Sequence, residues 1–428
     1  MIKSVSPTRL MSRKLILFMA TMVLANVAAG MYQSLLPLYV QELGAGVGQV
    51  GLFFTLSSVA PLFFQIFGGW LSDSLGRLQA VAIGSVSGVL GYLVYIFAPS
   101  WEWLLIATAT GAVARAFVAP SYMAFIAEES TEENRGKVYG LSQTIFMVVG
   151  IVGPPIGGYL SQYLSFRAMF VVSGALYGTA TVIRLIMARI AQRRRKATGE
   201  KGEKITLSKL RHSLATMTGL LLAGGVVTWI FLSDGVRDVT FSMAFQLLPL
   251  YMRNLVGLSN VEITWLSSIS SMATMAFLTP AGWLSDHKGE RVGIVAGFLL
   301  IVISIALFLQ MSTFVQFAFV WALFGVGGAL IDPAYNALIS KAIPNKLRGT
   351  AFGLFTTSIG LISLPAPYIG GLLWEAISPQ APFYAPIIAT LLVIPIMWTK
   401  FRLPDRPEDE EPEPSPDLLE AEVEAESM

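Results

Sequence analysis

Twelve apolar stretches of about twenty residues follow one another along this chain, each long enough to cross bilayer hydrocarbon as a helix. They cover residues 15–39, 48–72, 78–97, 101–127, 138–160, 167–189, 219–251, 262–285, 292–311, 315–339, 350–373 and 381–400. Strands of a membrane barrel would run about 10 residues with alternating polarity, whereas these runs are longer and continuously apolar. Glycine and proline interrupt many of them, which bilayer helices tolerate. Only 13% of the 428 residues are charged and 54% are hydrophobic, against about 25% charged in a soluble domain. A water-soluble core cannot absorb that much apolar surface. An all-α polytopic membrane protein with twelve transmembrane helices is expected, with a lipid bilayer as its solvent.

Lys and Arg orient the spans. With the N-terminus inside, the cytoplasmic segments hold 24 of the 29 basic residues, while the outside loops hold only Arg167 and Arg253. Both termini are therefore expected in the cytoplasm, and the chain in the cell membrane. The segment 190–218 is a basic cytoplasmic linker, and the segment 1–14 is a cytoplasmic arm. Residues 405–428 carry eleven acids and four prolines, so 403–428 reads as an acidic, solvated tail. The basic linker fits an orientation signal far better than a nucleic-acid site.

The chain repeats itself. Gly69-Trp-Leu-Ser-Asp73 returns as Gly282-Trp-Leu-Ser-Asp286, 213 positions later. The same shift carries Gly76 onto Gly289, Pro120 onto Pro333, Arg135 onto Arg348, Gly140 onto Gly353, and Gly157-Gly158 onto Gly370-Gly371. A shift of 212 carries Leu35-Leu-Pro-Leu-Tyr39 onto Leu247-Leu-Pro-Leu-Tyr251. Residues 15–189 and 219–402 thus read as two pseudo-symmetric six-helix halves. The first run has the look of a secretory leader, but its partner in the seventh run argues for a retained span. Doubled helical units in membranes commonly work by alternating access, with the site near the midplane between the halves.

These residues resemble the major facilitator superfamily from residue 15 to about 402. Gly69-x-Leu71-x-Asp73-x-x-Gly76-Arg77 is similar to the family's signature between its second and third helices. The second copy stands where the family places its eighth-to-ninth loop. Gly153-Pro154-x-x-Gly157-Gly158 resembles the core of a fifth-helix motif of drug–proton antiporters, with Val149 where that pattern has a glycine. Arg115 resembles an arginine of the exporter branch. Glu290 departs from the expected Arg, Arg291 is displaced by one place, and Leu364-Pro365-Ala366-Pro367 replaces the Gly-Pro core in the eleventh run. The resemblance implies that Asp73 faces the eleventh helix across the halves, with Arg77 and Arg135 in the same cytoplasmic network. Gly69, Asp73, Gly76, Arg77, Arg135, Gly282, Asp286, Gly289, Arg291 and Arg348 would form a conformational latch, for which the plainer reading is a tight polar turn.

Six ionisable residues stand inside the runs: Arg115, Arg184, Asp234, Arg237, Asp238 and Asp332. Such residues are expensive in a bilayer and are commonly functional. Arg184 lies near the basic end of its run and is expected to snorkel to the interface. The other five lie on the fourth, seventh and tenth runs, which by resemblance line the central cavity. Asp234 and Asp238 share a helix face beside Arg237. Two cations against three carboxylates leave one acid over, which makes Asp234 or Asp238 the candidate proton carrier and Arg115 and Asp332 candidate substrate or gating charges. A structural ion-pair network is the alternative. Asn26, Gln33, Gln143, Gln246, Tyr335 and Asn336 are the candidate cavity polar groups.

A secondary active transporter follows, with proton-coupled export of small amphipathic molecules ahead of proton-coupled uptake of a sugar, organic acid or other nutrient. A non-transporting receptor is the remote alternative. The chain has no Cys, no H-E-x-x-H, no P-loop and no His within a run, so it lacks the marks of an intramembrane enzyme or an ATP-driven pump. No cofactor or metal is expected, only a proton gradient, and the expected state is a monomer.

Overall fold

The computed structural model describes residues 11–198, 226–342 and 358–401, with side chains for all of these except 65–75, 194–198, 226–227 and 342. The first half holds α1 (Arg13–Gln33), α2 (Leu36–Glu42), α3 (Val47–Leu75), α4 (Arg77–Phe97), α5 (Leu104–Glu129), α6 (Glu132–Tyr163) and α7 (Phe166–Thr198). The second holds α8 (Val226–Phe245), α9 (Leu248–Tyr251), α10 (Asn260–Lys288), α11 (Glu290–Phe308), α12 (Phe314–Ala342), α13 (Ala366–Ala376) and α14 (Ala381–Lys400). No strand occurs among the described residues, and ten of the helices there are long and apolar enough to cross a membrane. The starts of the seventh and eleventh expected spans lie outside the described residues.

Local chemistry sets the helix ends. The Ser12 hydroxyl accepts from Leu15 N at 3.1 Å and starts α1. Ser259 and Glu262 form a reciprocal capping box at the start of α10. Gly76 (φ 95°) separates α3 from α4, and Gly289 (φ 89°) separates α10 from α11. Only glycine enters that left-handed region without strain, so the repeated loop turns at the same place in both halves.

Three runs expected as single helices are broken. The first and seventh divide just before Pro37 and Pro249, each of which opens a short helix, α2 or α9. The eleventh is interrupted at 363–365, between helical residues 358–362 and α13. Pro365 has no N–H to continue the ladder and disfavours helical backbone at Leu364 before it, whereas Pro367 sits in the first turn of α13, where a missing N–H is tolerated. Elsewhere helices overrun the apolar runs: α6 starts at 132 rather than 138 and α7 ends at 198 rather than 189.

Arg184 does not snorkel. Its residue is 1% exposed, and it donates to Thr21 Oγ1 (3.0 Å), Thr21 O (3.1 Å) and Ser85 Oγ (2.8 Å). The guanidinium thus ties α7 to α1 and α4, because a buried cation that finds several acceptors need not reach water.

The two halves are packed alike. Tyr39 contacts Phe170, which stacks on Tyr95 at 4.6 Å; Tyr251 contacts Phe383 and Phe308 at the matching positions of the repeat. A Cβ on Gly157 would stand 1.7 Å from Met31 O, and one on Gly370 would stand 2.0 Å from Met243 O. These glycines let α6 lie against α1 and α13 against α8.

The halves meet along two equivalent seams, α6 with α10 and α13 with α3. At the first, Gln162 Oε1 accepts from Asn260 N (3.0 Å) and Ser268 Oγ donates to Ile151 O (2.7 Å). At the second, Glu375 Oε1 accepts from Gly48 N (2.7 Å) and Thr55 Oγ1 accepts from Tyr368 N (3.1 Å). Both seams run toward the end of the bundle opposite Arg13, Lys14, Arg77, Lys288 and Lys341. We call these the far end and the basic end.

Candidate functional site

A cavity of about 510 Å³ lies between the halves, beside the α3–α13 seam. Phe54, Ser58, Pro61 and Leu62 of α3 form one wall, and Asp234, Arg237, Asp238 and Ser242 of α8 form another. Gln246, Ile339 and the broken stretch around Ser363 complete it. The break is what gives the cavity its polar edge. With the ladder interrupted, the Ser363 hydroxyl donates to Asp238 Oδ2 at 2.7 Å.

One helical turn of α8 carries the charge. Arg237 Nη2 stands 2.8 Å from Asp234 Oδ1, three residues earlier, in an ion pair that lacks the angle of a directed hydrogen bond. The Arg237 guanidinium also lies over the rings of Phe298 (4.9 Å) and Tyr335 (5.7 Å), which hold it by cation–π attraction. Asp234 is buried behind this arginine. Asp238 is half-buried and faces Ser363 instead, with no ion pair to a cation among the described residues. Asp332 is exposed on α12, within electrostatic range of Arg237. The described site therefore groups three carboxylates around one cation.

Arg115 is not part of this group. It lies in the first half, within electrostatic range of Tyr32, Tyr95 and Tyr177. The charge balance expected from the sequence is thereby split. Arg115 and Arg184 stand in the first half, while Arg237 faces Asp234, Asp238 and Asp332 in the second.

Among the six candidate polar groups, Gln246 lines the cavity. Asn26 donates to Met22 O of its own helix at 2.7 Å. Gln33, Gln143 and Asn336 are exposed and are not among the residues that line the cavity, and Tyr335 is buried beneath Arg237. Ser58, Ser242 and Ser363 were not read from the sequence. Only the last had a signal, since it adjoins the Leu364-Pro365-Ala366-Pro367 departure.

At the basic end, Arg77 Nε bonds Glu128 Oε1 at 3.1 Å, and Arg135 Nη2 donates to Ala127 O at 3.2 Å. Glu290 pairs with Lys341. Arg291 lies over Trp398 at 4.3 Å and donates to its carbonyl at 2.9 Å. Asp286 is exposed, and a Cβ on Gly282 would meet nothing within 4 Å. The surroundings of Gly69, the side chain of Asp73 and all of Arg348 lie outside what is described. Gly153, Pro154, Gly157 and Gly158 lie where α6 meets α1 and α10: a Cβ on Gly153 would be 3.3 Å from Gly30 Cα, and one on Gly158 would be 2.0 Å from Thr264 Oγ1.

The chain matches the Major Facilitator Superfamily profile over residues 18–234 and again over 230–425. It is 24% identical over 377 residues to a multi-drug resistance efflux pump PmrA homolog of Lactococcus lactis, spanning 85% of this chain and 88% of that protein. It is 22% identical over 392 residues to the quinolone resistance protein NorA of Staphylococcus aureus, spanning 90% and 96%. Among solved structures, a bacterial homologue of the iron transporter ferroportin in an inward-facing state superposes with a TM-score of 0.72 at 14% identity, covering 91% of this chain and 98% of that one. A D-xylose–proton symporter superposes with a TM-score of 0.66 at 14% identity, covering 90% and 97%. Those two likenesses establish a shared fold.

Proposed function

The chain belongs to the major facilitator superfamily, a multi-pass membrane secondary transporter and not an enzyme, and from that premise we propose that it drives the export of small amphipathic molecules with a proton gradient. The observation that carries this reading is the Asp234–Arg237–Asp238 turn set into a cavity between the halves that Phe54, Pro61, Leu62, Ile339 and Ile359 also line with apolar surface. The names of the efflux-pump relatives support the direction. The basic end is the cytoplasmic end, by the excess of Lys and Arg there. The cell membrane is its site, and one chain is the transporting unit.

The chemistry divides between the two aspartates. Arg237 pairs with Asp234, so a proton on that carboxylate would strand the arginine. Asp238 faces the cavity with the neutral Ser363 hydroxyl opposite it and pairs with no cation among the described residues, so neutralising it strands no partner. Asp238 is thus the proton carrier: a proton adds to one carboxylate oxygen, or a donor group of the substrate takes its place. Phe54, Pro61 and Leu62 supply the apolar wall for the rest of the molecule. At the basic end, the repeated loop and its arginines act as the latch.

The test is flux in proteoliposomes. Efflux of an amphipathic dye should follow an imposed pH gradient and collapse with a protonophore. Dye movement that ignores both, or runs only inward, rejects proton-driven export.

A further inference from the structure

Asp238 and Glu375 hold the two ends of one short helix. At one end, Ser363 donates to Asp238 Oδ2 at 2.7 Å. Three residues on begins α13, eleven residues or about 16 Å long. Near its other end, Glu375 Oε1 accepts from Gly48 N at 2.7 Å, one of the amides that α3 cannot satisfy within its own first turn. A carboxylate there is favoured by charge as well as by the hydrogen bond.

The other seam offers the comparison. Gln162 stands 213 residues before Glu375 and caps Asn260 N of α10 at 3.0 Å. The two far-end seams are therefore closed by the same device, a side chain at the end of one half's helix capping a helix of the other half. Only one of the two caps is charged. The seams also differ at the position of Ser363, whose counterpart is Gly150, inside the unbroken helix α6. Only the Glu375 seam is joined through a broken helix to a carboxylate in the cavity.

We propose that α13 is a strut that makes the far-end gate read the occupancy of Asp238. This rests on Asp238 being the carrier proposed above. While Asp238 is charged and empty it holds Ser363, α13 stays in place, and Glu375 caps Gly48, so the far end stays shut. A proton on a carboxylate oxygen, or a substrate donor group facing it, removes the charge-assisted bond from Ser363 and lets α13 move. The empty, deprotonated transporter is thereby kept from opening outward, which is the transition that an exchanger must forbid to avoid dissipating the gradient.

The chain has no cysteine, so spin labels at Leu164→Cys and Ile377→Cys go only to two exposed far-end sites in opposite halves. Pulsed-resonance distances in nanodiscs at high pH then give the fraction of molecules open at the far end. Ser363→Ala and Glu375→Gln should each raise the open-to-closed ratio about tenfold, and the double variant should be no more open than either single one. An unchanged ratio in Ser363→Ala, or additive effects in the double variant, overturns the strut. Asp238→Asn with wild-type gradient-driven flux overturns the carrier assignment instead, and the label distances do not depend on that result.

Discussion

Lys341 pairs with Glu290 at the basic end of the second half, and these two residues stand 213 positions after Glu128 and Arg77, which pair at 3.1 Å with the charges exchanged. In each half the bond ties the start of one helix to the end of the next, α4 to α5 and α11 to α12. Glu290, a departure from the motif in one dimension, is half of a compensated swap in three. Arg77→Glu and Glu290→Lys should each lower stability slightly, by roughly 0.5–1 kcal/mol, because these pairs are partly exposed. The doubles Arg77→Glu/Glu128→Arg and Glu290→Lys/Lys341→Glu should recover most of that loss in detergent melts. Doubles as unstable as the singles would mean that the partners do not interact.

Arg184 predicts a different pattern. Its three oxygen acceptors lie on α1 and α4, and no carboxylate pairs with it among the described residues. Arg184→Lys keeps the charge, but a single ammonium cannot span Thr21 and Ser85 together. It should therefore destabilise nearly as much as Arg184→Ala, by about 2–3 kcal/mol. Thr21→Val and Ser85→Ala should each cost about 1 kcal/mol. A wild-type Tm in Arg184→Lys would remove the interlock.

The contrast between these two sites marks what the sequence could carry. Apolar length and the 213-residue repeat are one-dimensional properties, so the all-helical, doubled architecture was legible in them. The Leu364-Pro365-Ala366-Pro367 departure was visible too, but its consequence was not. Nothing local says that breaking the helix there turns Ser363 toward Asp238, 125 residues earlier. Arg184 looked like an interfacial cation because it lies near the end of its run, yet its acceptors come from residues 163 and 99 positions away. Arg115 and the three aspartates were counted together since a charge tally has no geometry.

The two aspartates of α8 should separate cleanly. Asp234→Asn removes the counter-ion of a partly buried Arg237, so it should lower stability by about 1–3 kcal/mol after allowing for the cavity's water. Asp238→Asn strands no cation and keeps an acceptor for Ser363, so the protein should melt near the wild-type temperature. Its gradient-driven efflux should nevertheless disappear while downhill substrate exchange persists. The reverse outcome, coupling lost only in Asp234→Asn, would transfer the carrier role to Asp234.

Glycines that the repeat treats alike should respond differently. Gly140 and Gly157 both recur 213 residues later. A Cβ on Gly140 would meet nothing within 4 Å, whereas one on Gly157 would stand 1.7 Å from Met31 O. The atom in the way is backbone, so no rotamer change relieves it, and α6 would have to move off α1. Gly157→Ala should therefore cost about 2–3 kcal/mol or abolish folded expression, and Gly370→Ala, facing Met243 O at 2.0 Å, should behave the same way in the second half. Gly140→Ala lies within α6 and replaces the weakest ordinary helix former by the strongest, so it should be neutral or stabilise by up to about 1 kcal/mol. Detergent melts of the three variants would check this order. If Gly140→Ala proves as damaging as Gly157→Ala, the first glycine is held by a requirement other than packing in this conformation, such as a close approach made only when the basic end shuts.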